Sequence, residues 1–319
     1  MKLSLVMLVP ALLLAIGADA QNYPTRPIRV VIPYAPGGGT DILGRFISPR
    51  MGQELGQQVV IDNRPGGNSI IGTQIVARAV PDGYTIGMID VSFTINQALF
   101  PKLPYDAVKD FAPVTLMASS PLALLVHPSV EAKSVKELIA LAKAKPGALT
   151  YSSPGIGGAG HIAFEQFAHV AGVKLTHVPY KGAAPASADL IAGQVQMAMI
   201  APSVLMQQIK AGRVRALAVT GARRIATLPD VPALAEAGLA GVDTGTYWGA
   251  IAPAGTPRPI VTQLNEQIVK HLHAPDLRDR LNDLNMDLVC NKPAEFGAFI
   301  QTEVTKFGKI IQDAGIKTE

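Results

Sequence analysis

The stretch Ile28–Asp41, with the sequence IRVVIPYAPGGGTD, contains a strand pattern, a glycine-rich loop and the start of a helix. Its first seven residues are mostly apolar and rich in β-branched side chains, which predicts a buried strand over Ile28–Tyr34. The pattern from Ile42 to about Leu55 predicts the helix that follows. Open α/β sheets bind ligands where such a loop joins the carboxyl end of a strand to a helix. The stretch therefore predicts an α/β fold with a binding loop in it.

The same order of strand and helix recurs along the rest of the chain. We predict further strands at residues 59–63, 84–90, 122–127, 149–152, 175–179, 195–200, 214–220 and 247–252. We predict further helices at residues 70–79, 135–144, 161–170, 186–192, 259–271, 276–284 and 293–314. Short strands that alternate with helices of this length are typical of βαβ units. The sequence therefore predicts mostly parallel sheets flanked by helices.

The order of these elements predicts two lobes with a ligand cleft between them. Residues 113–222 are expected to form the second lobe, and residues 21–112 and 223–319 a discontinuous first lobe, because the helical tail has no sheet of its own. The chain would then cross between the lobes twice, near 112–121 and near 220–225. Two crossings are what a hinge between closing lobes requires.

The N-terminal residues 1–20 have the features of a secretory signal peptide. Lys2 precedes the apolar run Leu3–Ile16, and Ala18–Ala20 provides the small residues of a cleavage site. The run is shorter than the about 20 apolar residues that span a bilayer, so no stable membrane insertion is expected. We predict cleavage after Ala20 and a periplasmic protein.

Composition narrows the class of protein further. The chain has 28 basic and 24 acidic residues and a net charge of +4 at pH 7, without a long basic block. This argues against nucleic acid as a partner and is compatible with attraction of anions. The one cysteine, Cys290, excludes an intrachain disulfide.

Two glycine-rich loops are the strongest candidates for a ligand site. In Tyr34–Asp41 the glycines let backbone N–H groups converge at a helix N-terminus, which favours an anion, and Thr40 or Asp41 could cap the helix. The segment Ser152–His161 repeats this arrangement in the second lobe. The structural alternative is two tight turns with capped helices and no ligand. Lys181 also follows a strand and could reach the cleft or be a surface lysine. Asp90, Ser92 and Thr94 follow the third predicted strand and could line the cleft or cap a turn.

Enzymatic alternatives have weaker support. Gly155, Gly157 and Gly160 spell GxGxxG, but the strand that follows ends at Lys181 rather than at the acid of a dinucleotide site. His161 and Glu165 could share a helix face, yet no third metal ligand lies near them, and capping or core packing is the simpler interpretation. No serine occurs in a GxSxG motif. We therefore predict no enzyme, no metal and no cofactor.

A set of short motifs in a fixed order resembles a known family. The motifs are Tyr23–Arg29 (YPTRPIR), Asn63–Gly67 (NRPGG), Pro81–Thr85 (PDGYT), Asp110–Val114 (DFAPV), His177–Gly182 (HVPYKG), Leu217–Thr220 (LAVT) and Ala252–Pro257 (APAGTP). Together with the Ile28–Asp41 stretch they resemble the Bug-type substrate-binding proteins of tripartite tricarboxylate transporters. The resemblance extends over nearly the whole chain after residue 20.

This resemblance implies a two-lobe periplasmic binding fold of type II, whose ligand is held by backbone amides of facing loops. It implies a monomer that binds a small carboxylate and delivers it to membrane transporter subunits. With the local reasoning above, the candidate ligand-binding residues are Tyr34, Ala35, Gly38, Gly39, Thr40, Asp41, Ser92, Ser153, Gly155, Gly157, Gly158, His161, Tyr180, Lys181 and Ala184.

One segment departs from the family's pattern. Relatives often have an acid and an aromatic residue within the segment that here reads Met197–Ala201, MAMIA, so the cleft floor is more apolar. An aromatic carboxylate, an aliphatic dicarboxylate and an acidic amino acid all stay open as ligands. Two other functions stay open as well: an exported hydrolase or dinucleotide-dependent enzyme that uses the same loops, and a ligand-sensing receptor for a signalling partner.

Overall fold

The computed structural model describes residues 23–316, which form two β-sheets flanked by helices. The strands are β1 (Ile28–Ile32), β2 (Val59–Asn63), β3 (Thr85–Asp90), β4 (Phe111–Ser120), β5 (Ala123–Val126), β6 (Thr150–Ser153), β7 (Thr176–Pro179), β8 (Met197–Ile200), β9 (Arg215–Val219), β10 (Thr246–Pro253) and β11 (Asp287–Leu288). The helices are α1 (Gly39–Leu55), α2 (Ile70–Ala77), α3 (Ser92–Leu99), α4 (Val135–Ala144), α5 (Ala159–Ala171), α6 (Ala183–Ile191), α7 (Pro202–Lys210), α8 (Arg258–Leu272), α9 (Pro275–Asp283) and α10 (Pro293–Ala314). The predicted signal peptide lies outside the described residues.

The first sheet has six strands in the order β11-β4-β10-β3-β1-β2. Strand β1 is parallel to both of its neighbours, β2 and β3. Strand β10 is antiparallel to β3 and β4, and β11 is antiparallel to β4. Helices α8 and α10 of the tail pack against β4, so the tail returns to the first sheet as the sequence predicts.

The second sheet has five strands in the order β7-β6-β8-β5-β9. Strand β6 is parallel to β7 and β8, whereas β5 is antiparallel to β8 and β9. Alternate residues of a strand face opposite sides of a sheet. Accordingly Leu124 and Val126 belong to one hydrophobic cluster, and Ala123 and Leu125 to another on the opposite face. Both faces are buried, because helices cover both of them.

The prediction of an α/β fold with two sheets is confirmed, but the sheets are mixed rather than mostly parallel. The physical reason is the direction in which the chain enters each lobe. Strand β5 enters the second lobe from the cleft side and β10 re-enters the first lobe from the same side, so both run against the βαβ strands beside them.

The strand pairing also bears on where the chain crosses between lobes. All of β4 runs beside β10 in the first sheet, so the first crossing lies at Pro121, whereas we expected the second lobe to begin at residue 113. After β9, the N–H of Leu234 donates to the carbonyl of Val219 at 2.8 Å, and the N–H of Val219 donates to Pro232. Residues beyond 222 therefore still pack on the second sheet, and the second crossing lies just before Thr246.

Among residues 23–316, no helix is both long enough and apolar enough to cross a membrane.

Candidate functional site

A cavity lies between the two sheets, at the carboxyl ends of β1, β3, β6 and β8. Its volume is about 60 Å³, in a measure where one water molecule needs about 10–15 Å³. It therefore has room for a ligand of a few heavy atoms. Its lining residues are Tyr34, Ala35, Gly38, Gly39, Thr40, Asp90, Ser92, Leu122, Pro154, Ala159, Gly160, Ala183, Met199, Ile200, Ala201, Val204, Thr246 and Trp248.

The first predicted loop forms much of the first-lobe wall. Gly38 is the N-cap of α1 and has no side chain to satisfy the amides of the first helical turn. Those amides have no acceptor within the helix. A Cβ atom at Gly39 would lie 2.5 Å from Cζ2 of Trp248, so only glycine lets α1 begin against the indole ring. Of the predicted residues in this loop, Tyr34, Ala35, Gly38, Gly39 and Thr40 line the cavity.

Asp41, another predicted residue of this loop, is buried outside the cavity and supports the loop from behind. Its Oδ2 accepts hydrogen bonds from the N–H of Gly37 (3.0 Å) and from Nε of Arg45 (2.8 Å). Its Oδ1 accepts one from Nδ2 of Asn63 (3.1 Å). Burial alone would raise the pKa of this carboxyl, but the three hydrogen bonds outweigh it and hold the pKa below 3.8. The structure therefore gives Asp41 a positioning role.

Replacing Asp41 with alanine is expected to destabilise the protein by about 1–3 kcal/mol, because partly buried donors lose their acceptor. A lowered pKa stabilises the fold above the unfolded-state value of 3.8 and loses that effect as the pH falls through the folded-state value. The difference in melting temperature between wild type and Asp41→Ala should therefore be largest at pH 7 and become smaller as the pH falls below 3.8. Asp41→Asn, which keeps an acceptor oxygen, is the control and should cost less. Equal melting temperatures for all three proteins at pH 7 would contradict this role.

The rest of the first-lobe wall consists of Asp90, Ser92 and Trp248. Oδ1 of Asp90 accepts hydrogen bonds from the hydroxyl of Tyr34 (2.6 Å) and from the N–H of Ser92 (2.8 Å). Burial raises the pKa of Asp90 above 3.8, and burial followed by the charge of Asp90 raises the pKa of Tyr34. Trp248 is the register partner of Asp90 on β10 and is 3% exposed. The predicted cleft residue Ser92 thus lines the cavity, at the start of a helix that we did not predict.

The second predicted loop contributes mainly through residues that we did not single out. Pro154, Ala159 and Gly160 line the cavity, whereas the predicted Ser153, Gly155, Gly157, Gly158 and His161 do not. Gly158 is the N-cap of α5, again without a side-chain cap. The N–H of Gly157 donates to Nδ1 of His161 at 3.0 Å. The hydrogen bond between Gly157 and His161 therefore supports the loop from within the second lobe, and Pro154, Ala159 and Gly160 face the cavity.

A buried serine–histidine pair lies beneath this loop. Oγ of Ser153 is 2.6 Å from Nε2 of His177, and it donates its own hydrogen to the carbonyl of Gly155 at 2.8 Å. His177 must therefore donate to the serine, which is opposite to the direction in a catalytic pair, where histidine accepts the serine proton. Burial, and secondarily the stacked ring of His161, lowers the pKa of His177 to about 3. Ser153 is fully buried, and the pair supports the loop.

Five helices begin at the cavity: α1, α3, α5, α6 and α7. None of the five has a side-chain hydrogen bond at its N-cap. Helices α2, α8 and α9, which do not line the cavity, also lack such a cap, whereas α4 is capped by Ser134, whose Oγ accepts from the N–H of Glu137. Helix N-termini carry partial positive charge, and no lysine, arginine or histidine of residues 23–316 lines the cavity. The positive potential available to a ligand here therefore comes from the backbone.

Tyr180 and Lys181 line a second, smaller space beside the cavity, between the turn after β7 and the loop Pro65–Ser69. The hydroxyl of Tyr180 donates to Asp189 at 2.5 Å, so it is engaged within its own lobe. Lys181 is exposed at the rim. A Cβ atom at Gly37 would lie 3.6 Å from Cβ of Ala184, so the predicted residue Ala184 contacts the opposite lobe rather than the cavity.

The two lobes are in contact across the cleft. A Cβ atom at Gly155 would lie 2.6 Å from Oδ1 of Asn68, and one at Gly157 would lie 2.4 Å from Cδ2 of Leu99. The Asn68 side chain is itself fixed, since its Nδ2 donates to Oδ1 of Asn96 at 2.6 Å. The glycines of the second loop thus allow the lobes to close around the cavity.

Sequence reasoning missed several residues of the cavity wall. Leu122 and Val204 line it as apolar side chains, and the local sequence signals only their burial. Ala183 lines it from the turn Tyr180–Pro185, which the family resemblance implied as part of the site. Met199–Ala201 line it as the more apolar floor that the sequence indicated. Trp248 lines it from β10. Of the three residues after the third strand that the sequence offered for the cleft, Asp90 and Ser92 line the cavity and Thr94 does not.

Comparison with known proteins gives the family. The family model described as TctC, tripartite tricarboxylate transporter family receptor, matches residues 43–316. The UPF0065 protein from the tcbD–tcbE intergenic region of a Pseudomonas species is 40% identical over 91% of this chain and 86% of its own length. The protein BugT of Bordetella pertussis is 31% identical over 95% of this chain and 94% of its own.

Solved structures agree with this assignment. A protein of R. palustris solved with adipate has a TM-score of 0.89 and 34% identity, covering 92% of this chain and 99% of its own. MatC of Rhodopseudomonas palustris, solved with bound malate, has a TM-score of 0.87 and 32% identity, covering 91% and 100%. These likenesses confirm the resemblance to Bug-type proteins that the motifs indicated. The chain belongs to the TctC family of periplasmic solute-binding receptors of tripartite tricarboxylate transporters.

Proposed function

We propose that this protein captures a small organic carboxylate between its two lobes and delivers it to the membrane subunits of a tripartite transporter. The observation that carries the proposal is the cavity between the lobes, which is lined by the N-terminal residues of α1, α5 and α6 and by no basic side chain of residues 23–316. An anion there meets converging N–H groups and no acid other than Asp90. The adipate and malate bound to two relatives support a carboxylate as the ligand.

The free energies of the available interactions are consistent with binding of the anion by backbone groups alone. Micromolar affinity requires roughly 8 kcal/mol. Each helix N-terminus contributes about 0.3–2 kcal/mol toward an anion. Hydrogen bonds to a charged group contribute about 1.5–3 kcal/mol each. Several such amides, with water excluded by closure of the lobes, therefore reach the required range without an arginine or a lysine.

The family assignment and the Ser153–His177 pair both support a role as a receptor rather than as an enzyme. The family consists of solute-binding receptors rather than enzymes. Ser153 and His177 are oriented so that histidine donates, and Ser153 is inaccessible to a substrate in the cavity. We infer that export after cleavage at Ala20 and action as a monomer complete this role.

The proposal is tested by thermal unfolding of the protein after residue 20, refolded from denaturant to remove any retained ligand. A ligand that binds only the folded state stabilises it by about 2.7 kcal/mol at a hundredfold excess over the dissociation constant. We expect carboxylates to raise the melting temperature, and the matching neutral amides to have no effect. Stabilisation by neutral solutes or nucleotides, with none by carboxylates, would overturn the proposal.

A further inference from the structure

Asp90 is the one acidic side chain that lines the cavity among the described residues. Its Oδ1 is fully used, since it accepts from the hydroxyl of Tyr34 and the N–H of Ser92. The Ser92 side chain is a further donor to this carboxyl group, which also borders the cavity. An anion receptor thus places a carboxylate beside its own ligand. This feature is unexpected for a site built to attract negative charge.

We infer that the ligand is a carboxylate that also carries a hydrogen-bond donor, an ammonium or a hydroxyl group, and that Asp90 binds this donor. The inference rests on the proposed function, because it assumes that the carboxylate lies on the helix N-termini. It makes Asp90 the residue that determines specificity. Unsubstituted carboxylates, including plain dicarboxylates, are then poor ligands for this receptor.

The arrangement of the wall places the two groups of the ligand close together. Strands β1 and β3 are neighbours, so the amides after β1 and the carboxylate at the end of β3 lie on one edge of the sheet. The hydroxyl of Tyr34, which follows β1, reaches Asp90 directly. The cavity is small, with a volume of about 60 Å³. The donor must therefore be within a few bonds of the carboxylate.

The remaining wall is apolar and offers no compensating charge. Met199, Ile200 and Val204 approach from the second lobe, and Trp248 from the first. A ligand carboxylate beside an ionised Asp90 is repelled by it unless a donor lies between them. Burial raises the pKa of Asp90, because the ionised carboxylate is poorly solvated there.

The test compares two matched series by isothermal titration calorimetry at pH 7: propionate, lactate and alanine, and succinate, malate and aspartate. With wild-type protein we expect the hydroxy or amino member of a series to bind at least tenfold more tightly than the unsubstituted member. The comparison of hydroxyl with ammonium identifies the donor. Asp90→Asn has the same shape but points an amide N–H₂ at the ligand. It should weaken the substituted member at least tenfold and strengthen the unsubstituted one.

The outcomes separate the two claims. If no member of either series binds wild type, the carboxylate proposal itself fails. If unsubstituted members bind as tightly as substituted ones and Asp90→Asn changes all of them equally, only the role of Asp90 fails. Tighter succinate binding by wild type at lower pH would mean that a protonated Asp90 donates to the ligand, and would also overturn the inference.

A measurement without ligand checks that Asp90→Asn folds and that Asp90 faces an empty space. A group whose folded-state pKa is raised contributes stability below its unfolded value, here 3.8, and loses it as the pH rises through the folded value. The titratable neighbours Tyr34 and Tyr247 stay neutral at pH 7, because burial raises the pKa of both. Ligand-free Asp90→Asn should therefore melt at a higher temperature than wild type at pH 7, with a smaller difference in acid. A lower melting temperature of Asp90→Asn than of wild type at pH 7 would show that donors within the protein already stabilise the ionised Asp90.

Discussion

Gly157→Ala is expected to weaken ligand binding by about 5–150-fold while leaving the second lobe folded. The added Cβ would lie 2.4 Å from Cδ2 of Leu99, which belongs to the opposite lobe. Closure then requires Leu99 or the loop to move, and overpacking of this kind costs about 1–3 kcal/mol. Since about 1.4 kcal/mol corresponds to a tenfold change in affinity, the loss follows directly. The open protein has no such contact, so the cost is specific to the closed state.

The matched control for this variant is Gly172→Ala at the C-terminus of α5. Both glycines have a positive φ, 76° at Gly157 and 62° at Gly172, so alanine is strained at both. A Cβ atom at Gly172 would meet nothing within 4 Å. Gly172→Ala should therefore lose stability but keep its affinity per folded molecule. Equal affinities for the two variants, measured by calorimetry, would mean that the Gly157 loop does not close on Leu99 when ligand binds.

Gly39→Ala is expected to weaken binding by a similar factor, about 5–150-fold, by a different route. Here the backbone conformation is helical, and the cost comes from the Trp248 ring, whose Cζ2 and Cε2 atoms would lie 2.5 and 2.7 Å from the new Cβ. Either the indole or the first turn of α1 must move, and both line the cavity. The amides that meet the carboxylate are then displaced from their present positions. The overpacking cost of about 1–3 kcal/mol falls on the binding site itself.

Trp248 also supplies the measurement, because it is the only tryptophan of the chain. Its fluorescence should change when ligand enters the wild-type cavity, and Gly39→Ala should alter both the emission of the free protein and the titration midpoint. Gly308→Ala in α10 is the control, since its Cβ would be 4.0 Å from Ala98, an ordinary contact. A titration of Gly39→Ala that overlays that of wild type would show that Trp248 and α1 do not form the wall that we describe.

Most of the fold could be predicted from the sequence, because the alternation of strand and helix patterns is strong between residues 28 and 200. Helix α4 and helix α10 were predicted with the bounds that the structure has. Helix α7 was missed, because its first turn follows β8 without a break in apolar character. The signal was Pro202 at the first helical position, where proline is favoured. Helix α3 was missed in the same way, as its serine and threonine suggested a turn.

The candidate site could be predicted less well than the fold. The loop Tyr34–Thr40 follows from local rules, since glycines between a strand and a helix leave amides free. In the second lobe, most of the predicted residues do not line the cavity. In the loop Ser153–Gly158, Ser153 and Gly157 contact His177 and His161, and only Pro154 faces the cavity. That turn depends on tertiary contacts, which short sequence patterns do not contain. Trp248 enters the wall from a strand more than 150 residues away from the loop it packs against.

A receptor that holds its ligand's charge with main-chain amides separates affinity for the anion from selectivity among solutes. Many binding sites combine these two properties in the same side chains. Only substitution by proline removes a backbone N–H, so affinity for the anion persists while most side chains around it change. After gene duplication, substitutions at Asp90, Met199 or Val204 could therefore let one copy bind a new solute, while its backbone amides still attract an anion. Exchange of a few wall residues is then sufficient to change which solute such a receptor selects.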